Sequence, residues 1–357
     1  MVTVATRDLA DTRQRLERWL TERFPPGSAP VVSELVAPDA NGVSTETLLF
    51  GVRWSSDGEV QSSAMVARVA PDPANMPIFP VYDIEGQFRT VKTIGELGVV
   101  PVPTVHWCEP DPAVLGSPFF VMDRVEGVVP PDVMPYNMGS WVTEASPEER
   151  ARMQESSVAA LARIHGIDRP AERFAHVGGG SLRQLVDHER EYYEWMVSDG
   201  NRSKLFEEMF DWLEAHWPDD DGPIVLSWGD ARIGNVIYRD FEPVAVLDWE
   251  MAALAPRETD VGWFIFLHEM FEDIAARYGL GGLPDFLRAD DVIAAYERQT
   301  GYTPQNMRWF RMLAGLRASL PISRAARRSV HFGESDMPDE FDGLIHHKGL
   351  LERMLAG

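Results

Sequence analysis

The sequence predicts an α+β fold of two lobes, with an antiparallel sheet and a helix in a smaller N-terminal lobe and a larger, mainly helical C-terminal lobe. Short extended segments separated by turn-forming clusters dominate residues 1–127, whereas segments with helical periodicity dominate the rest. A proline-rich stretch at residues 128–135 separates the two patterns. We therefore expect one lobe at residues 1–127 and the other at residues 128–357.

The N-terminal lobe is predicted to open with an amphipathic helix at residues 8–24, which ends at Pro25, Pro26 and Gly27. The extended segments after it are separated by Pro-Asp-Ala-Asn-Gly and Ser-Ser-Asp-Gly clusters, which favour tight turns and hence antiparallel pairing. Five strands and one further helix fit this lobe: strands at residues 31–36, 47–54, 64–70, 99–107 and 118–125, and the helix at about residues 81–97.

The C-terminal lobe is predicted to begin with a helix that runs from a capping box to about His165. The box is Ser146-Pro147-Glu148-Glu149, with proline at the first helical position. Helical periodicity continues in five further segments, at residues 182–197, 204–217, 260–278, 289–299 and 304–328.

Three histidines in this lobe are candidates for catalysis or metal binding, but their positions in the sequence favour neither role. His165 stands at a predicted helix end, where histidine commonly packs or compensates the helix dipole. His346 and His347 lack a third ligand at a metal-site spacing, so we expect them to be exposed helix residues.

Composition bounds the class of protein. Of 357 residues, 45% are hydrophobic and 25% charged, which is ordinary for a soluble globular protein. The single cysteine, Cys108, excludes an intramolecular disulfide and a cysteine-built zinc site. The first residues lack the pattern of a signal peptide, and no apolar run is long enough to span a bilayer, so we expect a soluble cytoplasmic protein.

Net charge argues against two classes of partner. With 33 Lys and Arg against 56 Asp and Glu, the net charge of −23 opposes binding to nucleic acid or to an anionic membrane. It permits a cationic substrate but favours one only slightly, because acidity also serves solubility. No feature predicts the oligomeric state.

Residues 224–249 contain the candidate catalytic side chains, and we call them the chemistry-bearing segment. In this segment an apolar run is followed by a polar loop and then by two short apolar runs. Asp230 and Asn235 stand five positions apart, and Asp248 follows the apolar run 244–247, so a hairpin can bring all three to one end of a small sheet. Phosphoryl transfer needs a carboxylate to orient the attacking hydroxyl and hard oxygen ligands to hold Mg²⁺. We assign the first role to Asp230 and the second to Asn235 and Asp248.

These residues carry a resemblance to the aminoglycoside phosphotransferases and their wider group of small-molecule kinases, which share the protein-kinase fold. The resemblance rests on residues 228–235, on Leu247-Asp248-Trp249-Glu250 and on Asp260, and it is nearest to the kinase-like domains fused to some acyl-CoA dehydrogenases. It implies that Asp260 is a structural acid supporting the catalytic loop, and a role as helix N-cap would be compatible with that one. The family usually has His where this chain has Trp228, which changes the local packing.

The resemblance also implies a nucleotide site in the N-terminal lobe. Gly42, Ser44 and Thr45 would lie in a loop that covers the phosphates, although an ordinary hairpin turn is the alternative. Backbone groups of Met122, Asp123 and Arg124 would bind the adenine edge, although this segment also reads as a buried strand.

Arg68, inside an apolar strand, would hold the α and β phosphates of the nucleotide. The alternative is a charge that reaches solvent from an edge strand. In the family a helix acid pairs with this cation, but alignment on Phe88 places Gln87 there. Glu85 lies two residues earlier and on a different helix face, so it cannot simply replace the family acid. The partner of Arg68 therefore stays open between Gln87 and another group.

The resemblance therefore implies an enzyme that uses ATP and Mg²⁺ to phosphorylate a hydroxyl of a small molecule. An aminoglycoside, with a role in antibiotic resistance, is the acceptor that the family name suggests, and a hydroxyacyl-CoA or similar metabolite is the alternative. A non-catalytic nucleotide-binding module is the competing class, because Gln87 and Trp228 depart from the pattern. An Asp-nucleophile phosphohydrolase fits less well, since its acid would end a strand of a parallel sheet.

Overall fold

The computed structural model describes residues 7–38 and 44–357. The chain divides into two compact units. Unit 1 comprises Met1–Gly95 and Pro103–Glu126, and unit 2 comprises Glu96–Val102 and Gly127–Gly357.

Unit 1 is built on an antiparallel five-stranded sheet of order β1-β2-β3-β5-β4. The predicted five strands and helices are confirmed, with these bounds: α1 (Leu9–Thr21), β1 (Val31–Val32), β2 (Glu46–Ser56), β3 (Glu59–Val69), α2 (Ile84–Leu97), β4 (Val105–Glu109) and β5 (Phe119–Asp123). The prediction for β4 began too early, at residue 99. Pro101 and Pro103 have no N–H to donate to a ladder, so pairing starts only at Val105.

Local sequence explains the β2–β3 hairpin. Asp57 and Gly58 occupy its turn with φ of 52° and 83°, the left-handed backbone that a tight two-residue hairpin turn requires. Alternation along β3 then sends Ala67 and Val69 into the main core, which they share with Leu16 of α1.

The other sheet face carries Arg68. Its register partner on β5 is Phe120, and opposite residues of paired strands share a face. Phe120 packs in a second cluster with Ile84 of α2. Because β3 is the central strand of the sheet, the edge-strand interpretation of Arg68 was wrong.

Unit 2 is mainly helical, as expected. Its elements are α3 (Trp141–Glu144), α4 (Pro147–His165), α5 (Pro170–Arg173), α6 (Leu182–Met196), α7 (Lys204–Ala215), β6 (Ile224–Ser227), β7 (Val236–Arg239), β8 (Glu242–Val246), β9 (Ala253–Pro256), α8 (Glu258–Arg277), α9 (Ala289–Thr300), α10 (Met307–His331) and α11 (Lys348–Ala356). The capping box of α4 is confirmed: Ser146 and Glu149 bond each other's backbone N–H. The prediction for His347 was wrong, because this residue precedes α11 and is buried against Ser319.

Two small antiparallel sheets position the chemistry-bearing loops. β6 pairs with β9, and β7 forms a hairpin with β8. The start of β7 faces the end of β8 through the pair Val236 and Val246. The loop before β7 and the loop after β8 therefore emerge at the same end of this hairpin. No helix of the described residues combines the length and apolarity that a membrane span would need.

Candidate active site

The loop between β6 and β7 is anchored on Asp260 in the first turn of α8. Its carboxylate accepts hydrogen bonds from Ser227 Oγ (2.7 Å), Trp228 N (2.7 Å), Gly229 N (3.0 Å) and His165 Nε2 (2.9 Å). Burial alone would raise the pKa of Asp260, but these bonds, above all that from His165, lower it instead. Asp260 is therefore a buried anchor and not an N-cap, a position that Arg257 occupies.

Trp228 and Gly229 join this loop to the one after β8. Buried Trp228 donates from Nε1 to Leu247 O (2.8 Å), and its ring lies 5.9 Å from that of Trp249. Gly229 has φ of 90°, and a Cβ there would lie 2.1 Å from Met251 O. Only glycine fits this close approach. The tryptophan at position 228 thus fills a packing role between the two loops.

Asp230 projects from this anchored loop and receives three donors. Oδ1 accepts from Arg232 Nε (2.9 Å) and Trp263 Nε1 (2.8 Å), while Oδ2 accepts from Asn235 Nδ2 (2.6 Å) and again from Arg232 Nε (3.0 Å). Its side chain keeps 16% of its surface exposed. The carboxylate is held in one orientation and can still be reached by a small molecule.

Arg232 links Asp230 to a second acid, Asp132, with which it also forms an ion pair. Burial lowers the pKa of Arg232, but Asp230 and Asp132 together outweigh that effect and raise it. Gly234 leaves room for the Asp132 and Arg232 side chains to meet, because a Cβ there would lie 2.5 Å from Asp132 Oδ1 and 2.6 Å from Arg232 Nη1. The guanidinium is therefore a fixed positive charge beside Asp230.

Asn235 and Asp248 have a chemistry that suits a hard cation. Asn235 Nδ2 donates to Asp230, both to its carboxylate and to its backbone oxygen (3.1 Å), which leaves the amide oxygen of Asn235 as the group able to bind a metal. Asn235 O also accepts from Leu247 N (2.8 Å), which ties it to the residue before Asp248. Asp248 is half-buried with φ of 58°, an unusual backbone that aspartate tolerates. One amide and one carboxylate oxygen fit the preference of Mg²⁺.

Of the candidate phosphate-binding residues of unit 1, Arg68 lies on β3, and Ser44 and Thr45 lie directly before β2. Arg68 is half-buried and donates from Nη1 to Thr47 Oγ1 (3.1 Å) on β2. Thr45 is buried, and its hydroxyl oxygen has no hydrogen-bond partner among the described residues. Ser44 is half-buried, and Gly42 lies outside the described residues. On α2, Gln87 is buried and Glu85 is exposed, in agreement with their different helix faces.

The segment expected to bind adenine ends β5. Two of its N–H groups are already engaged, because Asp123 N donates to Thr104 O (2.8 Å) and Arg124 N to Ala64 O (2.9 Å). Met122 is paired with Val66 of β3. The N–H groups of Asp123 and Arg124 are therefore already engaged, by Thr104 before β4 and by Ala64 of β3.

A family model described as "Phosphotransferase enzyme family" matches residues 58–313, more than half of the chain and the whole of the anchored loop region. The chain belongs to this family. It is accordingly a phosphotransferase with the kinase-like fold that the resemblance implied.

Among curated proteins, the chain is similar to probable acyl-CoA dehydrogenase IBR3 of Arabidopsis thaliana, with 28% identity over 227 residues. It is also similar to acyl-CoA dehydrogenase family member 10 of Mus musculus, with 29% identity over 205 residues. These matches cover 57% and 56% of this chain but only 26% and 18% of the two relatives. The chain thus corresponds to about a quarter or less of each relative's length.

Among solved structures, the chain is similar to a candidate aminoglycoside phosphotransferase from Ralstonia eutropha JMP134, with TM-score 0.66, 19% identity and coverage of 96% of this chain and 97% of that one. It is also similar to a thermostable mutant of aminoglycoside phosphotransferase APH(4)-Ia in a ternary complex with AMP-PNP and hygromycin B. There the TM-score is 0.57, the identity 15% and the coverage 96% and 98%. At these identities the likeness establishes the fold.

Three residues of this phosphotransferase that contact the site were missed or misjudged from sequence. Asp132 was not singled out, Trp263 was expected only to pack in the core, and His165 was expected to pack or to compensate the helix dipole. Trp263 follows Asp260 by three residues, which places both on one face of α8, so helical spacing is a signal that could have identified it. Asp132 and His165 reach their partners across 100 and 95 residues, and no local pattern reports such contacts.

Proposed function

We propose that this phosphotransferase transfers the γ-phosphate of ATP to a hydroxyl group of a small molecule. The observation that carries the proposal is Asp230, a carboxylate held by three donors and still open to solvent, in one loop with Asn235 and bonded through Trp228 to the loop of Asp248. We assign nucleotide binding to residues 1–127, and catalysis, metal binding and acceptor binding to residues 128–357.

In the proposed reaction, Asp230 orients the acceptor hydroxyl toward the γ-phosphorus. The hydroxyl oxygen forms the new bond to phosphorus, the bond between phosphorus and the β,γ-bridging oxygen breaks, and ADP leaves with that electron pair. The hydroxyl proton passes to the Asp230 carboxylate late in the step, as expected for a loose transition state. The donors on Asp230 favour this role, because they fix its orientation for the incoming hydroxyl.

The nucleotide would be held by groups from both assigned regions. The oxygens of Asn235 and Asp248 would hold Mg²⁺, which when bound neutralises charge on the phosphates. Arg68 would contact the α and β phosphates, with Gly42, Ser44 and Thr45 near them. Met122, Asp123 and Arg124 would line the base. The AMP-PNP and hygromycin B in the APH(4)-Ia complex support a nucleotide and a small-molecule acceptor for this chain as well.

Two competing functions have less support. All three sheets of the described residues pair antiparallel, whereas an Asp-nucleophile phosphohydrolase needs its acid at the end of a parallel sheet. A non-catalytic nucleotide-binding module has no use for Asp230. The departure from the family pattern at Trp228 does not favour a non-catalytic module either, because Trp228 is buried and hydrogen-bonded.

The metal assignment is tested by calorimetry of ATP binding with and without Mg²⁺. Magnesium should tighten binding to the wild type, and Asp248→Ala should lose that enhancement because a hard oxygen ligand is gone. Asp240→Ala is the matched control, since Asp240 is an exposed aspartate of the same hairpin with a similar φ of 52°. Equal ATP affinity with and without Mg²⁺ in the wild type would contradict the assignment.

Arg68 is tested by competition binding of ATP. Arg68→Ala should weaken binding while Arg68→Lys keeps part of it, because a point charge still attracts phosphate. Arg53→Ala is the control, an exposed arginine on the neighbouring strand β2. If Arg68→Ala binds ATP as tightly as the wild type, Arg68 does not hold phosphates.

The activity itself is tested by release of ADP from ATP in the presence of a panel of hydroxyl compounds that includes aminoglycosides and hydroxyacyl thioesters. At least one compound should gain a phosphate in a reaction that Asp230→Asn slows. If the wild type phosphorylates none of them while it binds ATP in the presence of Mg²⁺, the non-catalytic function becomes the better one.

A further inference from the structure

Unit 2 also contains an apolar groove beside the loop between β6 and β7 that carries Asp230. Its volume is about 630 Å³, within the range of roughly 300 to 1,000 Å³ typical of small-molecule sites. Most of its walls are apolar: the proline-rich stretch and the residues after it supply Met134 and Met138, α8 supplies Met270 and Phe271, and α10 supplies Ile322. We call this cavity the apolar groove.

One acid of the groove wall connects it to Asp230. Asp132 lines the groove and pairs with Arg232, and Arg232 Nε lies 2.9 Å and 3.0 Å from the two carboxylate oxygens of Asp230. A single arginine side chain therefore separates the groove wall from the carboxylate that receives the acceptor hydroxyl.

The chemistry of the groove does not suit a polycation. Asp132 is its only acid among the described lining residues, and Arg232 already neutralises it. His347 contributes no charge near pH 7, because burial lowers its pKa to about 4. An aminoglycoside, with several ammonium groups, would need several free carboxylates at this place to offset the loss of its hydration.

The rim of the groove exposes apolar surface that water does not favour. Tyr278, Met134 and Leu280 expose 74%, 65% and 43% of their surfaces. Flexible methionines in the walls can adapt to apolar ligands of different shape. An apolar body lying in the groove would cover these side chains.

We propose that the apolar groove is the acceptor subsite and that it takes an alcohol carrying an apolar body, such as an alkyl chain, with the hydroxyl presented at Asp230. This proposal rests on the proposed function and specifies its acceptor. The chain of contacts from Asp132 in the groove wall through Arg232 to Asp230 carries it.

The first test measures binding without nucleotide, so that it does not depend on phosphate transfer. Alkyl β-D-glucosides with chains from methyl to octyl share one polar head, and calorimetry below their micelle concentrations gives a dissociation constant for each. Affinity should rise about fourfold for each methylene that enters the groove, until the groove is filled. Affinity that does not change with chain length would overturn the proposal.

A matched pair of variants locates the effect. Leu280 and Met337 are each 43% exposed, but only Leu280 lines the groove. Leu280→Glu should abolish most of the chain-length dependence, whereas Met337→Glu should retain it, and both should keep the thermal stability of the wild type. Equal effects of the two variants would overturn the assignment of binding to this groove.

The second test measures turnover with pairs of alcohols that share a head group: methyl and octyl glucoside, glycerol and 1-O-octylglycerol, with kanamycin as the polycation. In each pair that is phosphorylated, kcat/KM should be at least tenfold higher for the long member. A preference for kanamycin, or chain-length-dependent binding with no transfer to any long alcohol, would overturn the groove's role as the acceptor subsite. The proposed function would then still be decided separately, by magnesium-dependent ATP binding and the wider screen of hydroxyl compounds.

Discussion

Two aspartates of unit 2, Asp260 and Asp230, are both surrounded by hydrogen-bond donors but differ in what they leave open. Asp260 is completely buried and its four donors all belong to the protein. Asp230 has three donors and keeps 16% of its side chain exposed. A carboxylate that is saturated and enclosed can only hold structure, whereas one that is oriented and open can also meet a substrate.

Under the proposed function, this difference should separate effects on stability from effects on turnover. Removing charge from the enclosed acid should mainly cost folding free energy, because buried donors lose their partner. Removing it from the open acid should mainly cost turnover. Replacing a side chain that supports Asp230 should mainly lower kcat, and replacing one that supports Asp260 should mainly lower the free energy of unfolding. Both changes should be smaller than those of the aspartate variants.

The largest expected effect is on turnover in Asp230→Asn. Loss of a positioned base should lower kcat by roughly two to four orders of magnitude. ATP affinity should barely change, because the residue meets the acceptor, and the free energy of unfolding should fall by about 1 to 3 kcal/mol, because buried donors lose a charged acceptor. Steady-state kinetics with an accepted alcohol and chemical denaturation measure these quantities on one variant. Undiminished transfer would remove Asp230 from the mechanism.

The next effect is on stability in Asp260→Asn. Breaking a buried charged network by changing one member should cost about 3 to 5 kcal/mol of unfolding free energy. Asp342→Asn serves as the control, because Asp342 also accepts from a serine hydroxyl and a backbone N–H but is only half-buried, so its loss should cost less. Denaturant titration gives both values. If the two variants lose the same free energy, burial of Asp260 does not distinguish it.

Trp263→Phe tests the support of Asp230 from α8. The change removes one hydrogen bond to a charged group and keeps an aromatic ring, so kcat should fall roughly tenfold while KM for ATP stays constant. Trp309→Phe is the matched control, because its indole donates to Leu213 O (3.0 Å) in the core. Equal loss of kcat in both variants would mean that the Trp263 bond has no specific role.

The pH range in which stability is lost should distinguish Asp260 from other buried titratable groups. Burial lowers the pKa of both His268 and His347 to about 4, from 6.5. Between those pH values the unfolded chain binds more protons, so unfolding free energy should fall on acidification from pH 6.5 to 4. This decline should be the same in the wild type and in Asp260→Asn.

Below about pH 4 the slopes of the two stability curves should differ, and the two unfolding free energies should approach each other. The lowered pKa of Asp260 stabilises the fold above its unfolded value of 3.8, and this contribution is lost as the pH falls through the folded pKa. Asp260→Asn has no such group and should lose less stability in that range. Parallel curves from pH 4 to 2 would show that Asp260 does not titrate differently in the folded state.

The smallest expected effect is that of Tyr296→Phe. Tyr296 is one step behind the anchor, with its hydroxyl 2.7 Å from His165 Nδ1. Its removal should cost about 1 kcal/mol of unfolding free energy. The value of kcat should be unchanged, because Asp260 keeps its direct donors. A loss of kcat as large as that of Trp263→Phe would show that the outer bond also positions Asp230.

Local sequence was enough to predict the strands and helices of unit 1, the long helices of unit 2 and the loop that carries the chemistry, but not α3, α5 or β9. The serine and glutamate of the capping box, the Asp-Gly turn of β2–β3 and the apolar alternation of β3 each determine their conformation through neighbours in the chain. The start of β4 was missed because an apolar run was given more weight than Pro101 and Pro103 within it.

What the sequence determined by itself is the spacing of Asp230, Asn235 and Asp248 and the strands that bring their loops to one end of a hairpin, because hairpin pairing is a short-range property. What only the tertiary structure decided is how Asp230 is supported and what adjoins it. The Arg232 pair with Asp132 spans 100 residues and the His165 bond to Asp260 spans 95. Such contacts depend on which helix faces pack together, and helical periodicity specifies an apolar face without specifying its partner.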